Sequence, residues 1–466
     1  MGLGGGTWLT QNKILPGAYI NFVSAARASA NLSDRGIATM PVVLDWGPLG
    51  EDEVMEVTTR DFQRHSKSLF GYEFTHPKLK GLRDLFRNIR VAYLYRLGTG
   101  GEEAYNDYAE AKFVGERGND IIINIIVRDV DEDGEPTSWD VRTLLGTTLV
   151  DVQTVNLIVS EGDNSTVVKK VSELVDNDFV TWKLDGEFKK WEELGGAVLD
   201  PDAGAPLTGG LNPTDTDSFD DYLKVIGSYS FNAIGCPSND PLVKGQFASF
   251  TESMRDEEGI KFQCVVHDYA ADYEGVINVM NKAADEDSNE YDLVWWTTGV
   301  AAGTAVNRSA TNRVYDGEYT VNVEDLTQQD FKRAIQAGEF AFYRNGSSEF
   351  RVLRDINSLV NLTVEKGEDF QQNQTIRVLD QIANDIAVLF NTRYLGVVPN
   401  DQDGRVSLWS DIVQHHNQLQ TIRAIEDFSP DDVIVEQGAT KRSVLVSDVV
   451  TPVNAMEKLY MTVSVA

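Results

Sequence analysis

Helix-then-strand patterning runs through most of this 466-residue chain, stops at residue 98 and resumes at residue 212. No other feature constrains the fold as strongly. Helices alternating with strands build a parallel sheet with helices on its faces, whereas short strands joined by turns build an antiparallel sheet of their own. Before the break, residues 77–88 place Leu79, Leu82 and Phe86 at helical spacing, with Ile89 continuing the stripe, and residues 91–97 read as a strand. After it, residues 216–226 set Phe219, Tyr222, Leu223 and Ile226 on one face behind an acidic first turn, and residues 229–234 read as a strand. Asp240-Pro241 opens another helix and residues 261–267 another strand. Thr327 and Asp330 have capping-box spacing, Gly338 closes that helix, and Asn345-Gly346 marks a hairpin between residues 340–344 and 349–353.

Inside the break the texture is different. Gly98-Thr99-Gly100-Gly101 leads in, and the stretch from Asp200-Pro201 to Asn212-Pro213 leads out. Between them, residues 109–116, 120–127, 137–145 and 149–156 are strand-like runs joined by turns such as Glu116-Arg117-Gly118-Asn119. This predicts a mostly-β domain inserted into a loop. Two amphipathic helices follow near the C-terminal end, over about 375–392 with Leu379, Ile382, Ile386 and Phe390, and over about 406–422.

Both ends carry a strand without a partner. Ala18-Tyr19-Ile20-Asn21-Phe22-Val23 follows a glycine-rich tip, and Leu459-Tyr460-Met461-Thr462-Val463-Ser464-Val465 alternates with period two. Neither is joined by a tight turn to a neighbouring strand, so their backbone groups need a partner from elsewhere. The expected fold is therefore α/β (α+β overall), an α/β sandwich core with an inserted mostly-β domain and extended N- and C-terminal β arms. Its expected divisions are an arm at 1–23, core at 24–97, an inserted domain at 98–211, core at 212–356, a C-terminal α/β domain at 357–456 and an arm at 457–466.

Charge narrows the function. Lys and Arg number 41 against 73 Asp and Glu, a net charge of −32 that repels phosphate backbones and anionic lipid, so neither nucleic acid nor membrane is an expected partner. There is no long unbroken apolar run, and Pro16, Gly17, Tyr19 and Asn21 interrupt the one stretch ahead of the signal-peptidase-like Ala28-Ser29-Ala30, so a soluble, non-secreted protein is expected. The cysteines, Cys236 and Cys264, are too few for a disulfide framework or a thiolate metal site. No P-loop, His-Glu-x-x-His, Cys-x-x-Cys or Gly-x-Ser-x-Gly motif is present. Cys264 and His267 face opposite sides of one strand, and the adjacent His415 and His416 diverge by about 100° on a helix, which disfavours a shared metal. Asp129-Val130-Asp131-Glu132-Asp133-Gly134, with Asp140 beyond, mimics the opening of a calcium loop but lies between strands, so an acidic hairpin turn is the reading. Trp295-Trp296 reads as split between core and an interface, with a carbohydrate platform as the sharper alternative. No catalytic, cofactor or metal residues are assigned.

Leu15-Pro16-Gly17-Ala18-Tyr19-Ile20-Asn21-Phe22, continuing into Ser33-Asp34-Arg35-Gly36-Ile37-Ala38, resembles the start of contractile phage tail sheath proteins, of the shorter type found in Gram-positive prophages and phage-tail-like bacteriocins. The same resemblance is carried by Arg117-Gly118-Asn119-Asp120-Ile121, by Ile376-Arg377-Val378-Leu379-Asp380 with Ile382-Ala383-Asn384-Asp385-Ile386, and most distinctively by Val453-Asn454-Ala455-Met456-Glu457-Lys458-Leu459-Tyr460-Met461-Thr462-Val463. It spans essentially the whole chain and includes no catalytic motif. The resemblance implies a homo-oligomer, a helical sheath whose N- and C-terminal arms add strands to neighbouring subunits. It further implies an outward inserted domain, a core and C-terminal helices against a tail tube protein, and baseplate and tail terminator proteins as partners. Such a sheath belongs to a virion or phage-tail-like particle assembled in the host bacterial cytoplasm, and contracts to drive the tube through a target envelope. The competing expectations are an acidic, non-catalytic glycan-binding adhesin using Trp295-Trp296, and a hydrolase with dispersed carboxylates.

Overall fold

The computed structural model describes residues 32–51, 53–134, 136–161, 167–171, 174–183, 202–216, 219–324 and 326–465. The N-terminal arm, with Ala18, Tyr19, Ile20, Asn21, Phe22 and Val23, lies outside the described residues. The chain divides into two compact units, one of residues 34–380 with 454–466, the other of residues 381–453 together with Leu32 and Ser33 among the described residues.

In the larger unit the chain forms Ile37–Val42 (β1), Met55–Thr58 (β2), Thr59–Phe70 (α1), Lys80–Phe86 (α2) and Val91–Arg96 (β3). The interrupting segment supplies Ala109–Ala111 (β4), Ile121–Val130 (β5), Pro136–Leu145 (β6), Thr148–Glu161 (β7), Val167–Val171 (β8), Val180–Trp182 (β9) and Asp202–Pro206 (β10). Alternation then resumes with Asp220–Ile226 (α3), Ala233–Gly235 (β11), Pro241–Asp256 (α4), Gln263–His267 (β12), Val276–Val279 (β13), Leu293–Gly303 (α5), Gln328–Gln336 (α6) and Glu339–Phe340 (β14). A hairpin of Phe342–Arg344 (β15) and Phe350–Val352 (β16) precedes Asn373–Leu389 (α7). The smaller unit holds the end of α7, Gln402–Thr421 (α8), Ile425–Glu426 (β17), Val433–Gln437 (β18), Val444–Asp448 (β19) and Thr451–Pro452 (β20).

The fold is α/β. A seven-stranded sheet runs β14-β13-β12-β11-β1-β3-β2, parallel throughout except for β2, which pairs antiparallel with β3 at the edge. Strand parity decides which helix layer each side chain meets. Val265 joins Met40, Leu94 and the α2 and α5 residues Leu85, Trp296 and Val300, while Cys264 and Val266 join Tyr222 and Ile226 of α3 and Phe247 of α4. Helix α5 is apolar nearly all round, as a helix packed on every side must be. It approaches α2 closely because Gly299 leaves room for the Leu85 carbonyl, which an added Cβ would meet at 2.6 Å.

The strands of the interrupting segment pair among themselves as β10-β5-β6-β7-β8, all antiparallel, with β4 and β9 as a separate pair. Ile121, Ile123 and Ile125 alternate inward against Trp139, Val141 and Val155. The incoming and outgoing segments run side by side, bridged at Thr99–Thr214, Glu102–Leu211 and Tyr105–Thr208. This sheet is not detached from what precedes it. Trp46 shares its apolar cluster, and the buried Arg96 of β3 donates to the carbonyls of Leu44 (2.9 Å) and Val114 (3.0 Å).

Local signals set several boundaries as expected. Asp240 caps α4 with Pro241 next, and Thr327 and Asp330 make the capping box of α6. Other boundaries moved. The strand expected over 229–234 is Ala233–Gly235, because Asn232 Oδ1 instead accepts the amides of Gly36 and Ile37, both at 3.0 Å. Phe340 belongs to the parallel sheet rather than the hairpin, whose loop is closed by Asn345 accepting from Ser347 and Glu349. Helix α8 begins four residues before the expected Val406, since Asp401 Oδ1 accepts the Gly404 amide at 2.8 Å.

Candidate functional site

Leu459, Tyr460, Met461, Thr462, Val463, Ser464 and Val465 form no strand within the single described chain, and all are exposed. Leu459 is 85 % exposed, Tyr460 88 % and Met461 73 %, a density of naked apolar side chains unusual in a stable monomer. The segment just before them is held firmly. Glu457 accepts from Arg354 at 2.7 Å and Thr311 at 3.1 Å, Ala455 N donates to Gln374 Oε1 at 3.1 Å, and Asn454 meets Thr375 at 3.2 Å. The described chain thus ends in a pinned segment followed by an exposed apolar run of period two.

The smaller unit holds a second exposed β feature. Among the described residues, strands β18 and β19 pair only with each other, Val433 opposite Asp448 through Gln437 opposite Val444, and a two-stranded ribbon is marginal without further strands. Ile434, Leu445 and Val449 are more than half exposed. Helix α8 supports the ribbon from one side, where Trp409 Nε1 donates to Val433 O at 3.0 Å, and Asn400 donates to Ser443 O at 2.8 Å near the tip. The ribbon is only weakly signalled in sequence, by Val433-Ile434-Val435 and Val444-Leu445-Val446 around Gly438.

His415 and His416 converge rather than diverge. Although adjacent, their Nδ1 atoms meet at 3.2 Å, and each Nε2 reaches a carboxylate, His415 to Asp385 at 2.9 Å and His416 to Asp448 at 2.7 Å. The 100° divergence holds for the Cα–Cβ vectors, but side-chain rotation brings the rings together.

The other chemical candidates fall into structural positions. Burial pushes the Cys264 thiol up to about 12 and the His267 imidazole down to about 4, the reverse of an activated thiolate–imidazolium pair. Residues 131–134 sit in the turn between β5 and β6, and Asp140 lies in β6, bonded to Arg128 at 3.2 Å and Thr154 at 2.9 Å rather than turned toward the acidic turn. Trp296 is core, donating to Asp316 at 2.7 Å, while Trp295 lies over Gly81 and lines a crevice of about 430 Å³ beside the C-terminal ends of β1 and β11. Asp240 caps the N-terminus of α4, its Oδ1 accepting the Leu242 amide at 2.8 Å.

Comparison with known proteins identifies the family. Residues 213–358 match the phage tail sheath protein central domain and residues 365–466 the phage tail sheath C-terminal domain. The chain is 32 % identical to the phage-like element PBSX protein XkdK of Bacillus subtilis, over 99 % of this chain and all of that one. Its fold superimposes on the sheath tail protein of Desulfitobacterium hafniense with a TM-score of 0.74 at 33 % identity, covering 96 % of this chain and 99 % of the other. At 12 % identity and a TM-score of 0.54, covering 97 % of this chain and 99 % of the other, it shares the fold of the anti-feeding prophage helical sheath in its contracted state. The chain belongs to the phage tail sheath protein family.

Proposed function

We propose that this chain is the repeating subunit of a contractile tail sheath, polymerising helically around an inner tube and shortening to drive that tube through a target cell envelope. The observation that carries this reading is the arm, pinned at Glu457 and then presenting Leu459, Tyr460, Met461 and Val463 to solvent with no strand partner among the described residues of its own chain. A donated strand would add several backbone hydrogen bonds, each worth about 0.5–1.5 kcal/mol net, together with the burial of Leu459 and Met461. The open edges of the β18–β19 ribbon are the recipient we favour, since a third strand relieves both marginal pairing and apolar exposure. Head-to-tail donation that does not close on itself propagates as a helix.

In this reading residues 18–23 act as the second donated strand, residues 98–211 project outward, and residues 357–456 face the tube. The tube, baseplate and tail terminator proteins are the partners, within a virion or tail-like particle assembled in the bacterial cytoplasm. Stored contraction energy requires two packings of the same subunits, with arms holding neighbours together while cores shift as rigid bodies. Electron microscopy of the purified full chain and of a chain lacking residues 458–466 tests the reading, with thermal unfolding measured on both. Hollow tubes from the full chain alone, at matching melting temperatures, are expected. Tubes of ordinary length from the truncated chain would place assembly in core contacts instead.

A further inference from the structure

We infer that Asp385, His415, His416 and Asp448 form a buried latch that joins α7, α8 and β19 only while the two imidazoles hold three ring protons between them. The geometry forces the count. An ionised carboxylate can only accept, so the contacts of 2.9 Å from His415 Nε2 to Asp385 and 2.7 Å from His416 Nε2 to Asp448 each require a proton on Nε2. The contact of 3.2 Å between the two Nδ1 atoms requires one proton more, and only one. Two neutral imidazoles carry two protons, so the bonded network contains one imidazolium shared across the pair. With two protons, two Nδ1 lone pairs oppose each other; with four, two N–H groups do.

Burial makes either mismatch costly. Both rings are almost wholly enclosed, His415 at 1 % and His416 at 0 % side-chain exposure, so water cannot repair a broken contact. The charged groups facing the pair are Asp385 on α7 and Asp448 on β19; the ring of Phe428 covers His416 with centroids 5.1 Å apart. Asp411, one turn earlier on α8, is engaged by Arg393 at 2.7 Å and by the hydroxyl of Tyr394. Burial alone would raise the Asp385 carboxyl, but bonds from His415, Gln381 and Ser33 hold it below the usual range, which keeps it an acceptor. Imidazole is the side chain whose charge ordinarily changes between about pH 5 and 8. The latch therefore responds to a proton gained or lost by the pair, and what it releases is β19, one strand of the ribbon. It holds whatever the ribbon binds.

Ring-nitrogen NMR on the histidine-labelled full chain, followed from pH 5 to 9, counts the protons directly. Near neutrality both Nε2 atoms of the pair should be protonated with one proton between the Nδ1 atoms, and the pair should titrate in two separated steps. Hydrogen exchange adds a structural readout, in which protection of the β18–β19 amides, corrected for intrinsic rates, should peak near neutrality and fall about tenfold on each side for a one-unit difference in proton affinity. His416→Gln should flatten that profile, because an amide can both donate to Asp448 and satisfy either state of His415; His415→Gln serves as the second variant if the first fails to fold. Two neutral rings throughout the range, or a wild-type exchange profile retained in a folded glutamine variant, would overturn the latch. Sheath assembly lost or kept does not enter this test, so its outcome is separable from that of the arm deletion.

Discussion

The seven-stranded sheet and the β18–β19 ribbon are both built from β-branched and aliphatic runs, yet they end in opposite conditions. The large sheet has helices on both faces, and Val265, Cys264 and Val266 are all fully buried. Among the described residues the ribbon has two strands and two open edges, with Ile434, Leu445 and Val449 exposed. Apolar strand residues alone do not tell whether a strand closes a core or awaits a neighbour. What distinguishes them is whether the same chain supplies a covering layer, and in the proposed reading that difference separates the part of a sheath subunit that folds from the part that assembles.

Charge pairs buried in the closed region should give the largest change in the isolated subunit. Asp355 and Arg377 meet at 2.5 Å with almost no exposure, and Asp355 also accepts from Ala310 N. Removing one partner in Asp355→Ala strands the other charge and should cost about 3–5 kcal/mol by denaturant unfolding. Burial acts to raise the Asp355 carboxyl, but the Arg377 charge and these hydrogen bonds outweigh it and hold it low. Its contribution is accordingly present above the unfolded carboxylate range and disappears as pH falls through the lower folded value. A variant as stable as the parent at pH 7 would show that the core does not depend on this pair.

His267 gives the next largest effect. Both its ring nitrogens lack partners among the described residues, and burial, aided by Lys244, lowers it to about 4. The folded ring stays neutral while the unfolded one takes a proton, so stability should decline as pH falls from about 6.5 to about 4, by about 3 kcal/mol in all. His267→Leu should remove that slope; an unchanged slope would assign it to other groups.

Smaller effects are expected at the arm root and the ribbon. Arg354→Ala breaks a partly exposed pair and should lower subunit stability by no more than about 1 kcal/mol, while raising the concentration needed for tubes. Replacing Ile434 and Leu445 together by Thr should change subunit unfolding by about 0.5 kcal/mol or less yet still impair assembly. If these ribbon substitutions destabilise the subunit as Asp355→Ala does, the contrast between closed and open sheets fails.

The closed region was largely legible because its signals are local. Asp240-Pro241, Thr327 with Asp330, and the stripe of Phe219, Tyr222, Leu223 and Ile226 each act within a few residues. Non-local partners were not legible. Nothing near Asn232 in sequence announces that it bonds Gly36 and Ile37, and no spacing rule joins Asp385 to His415 or Asp448 to His416. The ribbon was missed because Val433-Ile434-Val435 is short and follows a long helix, where an apolar run reads equally well as a continuation of helical packing. Trp46 shows the same limit, since its place in the cluster of the interrupting sheet makes a clean excision of residues 98–211 expose a buried indole.

Strand donation is tested most directly by electron cryomicroscopy of the assembled full chain, at a resolution that traces the backbone of residues 459–465. Donation predicts that these residues lie in a hydrogen-bonded ladder with residues 433–437 or 444–448 of a different copy, with Leu459, Met461 and Val463 covered. An arm folded back on its own subunit, or left unpaired in a lattice held by core contacts, would contradict it.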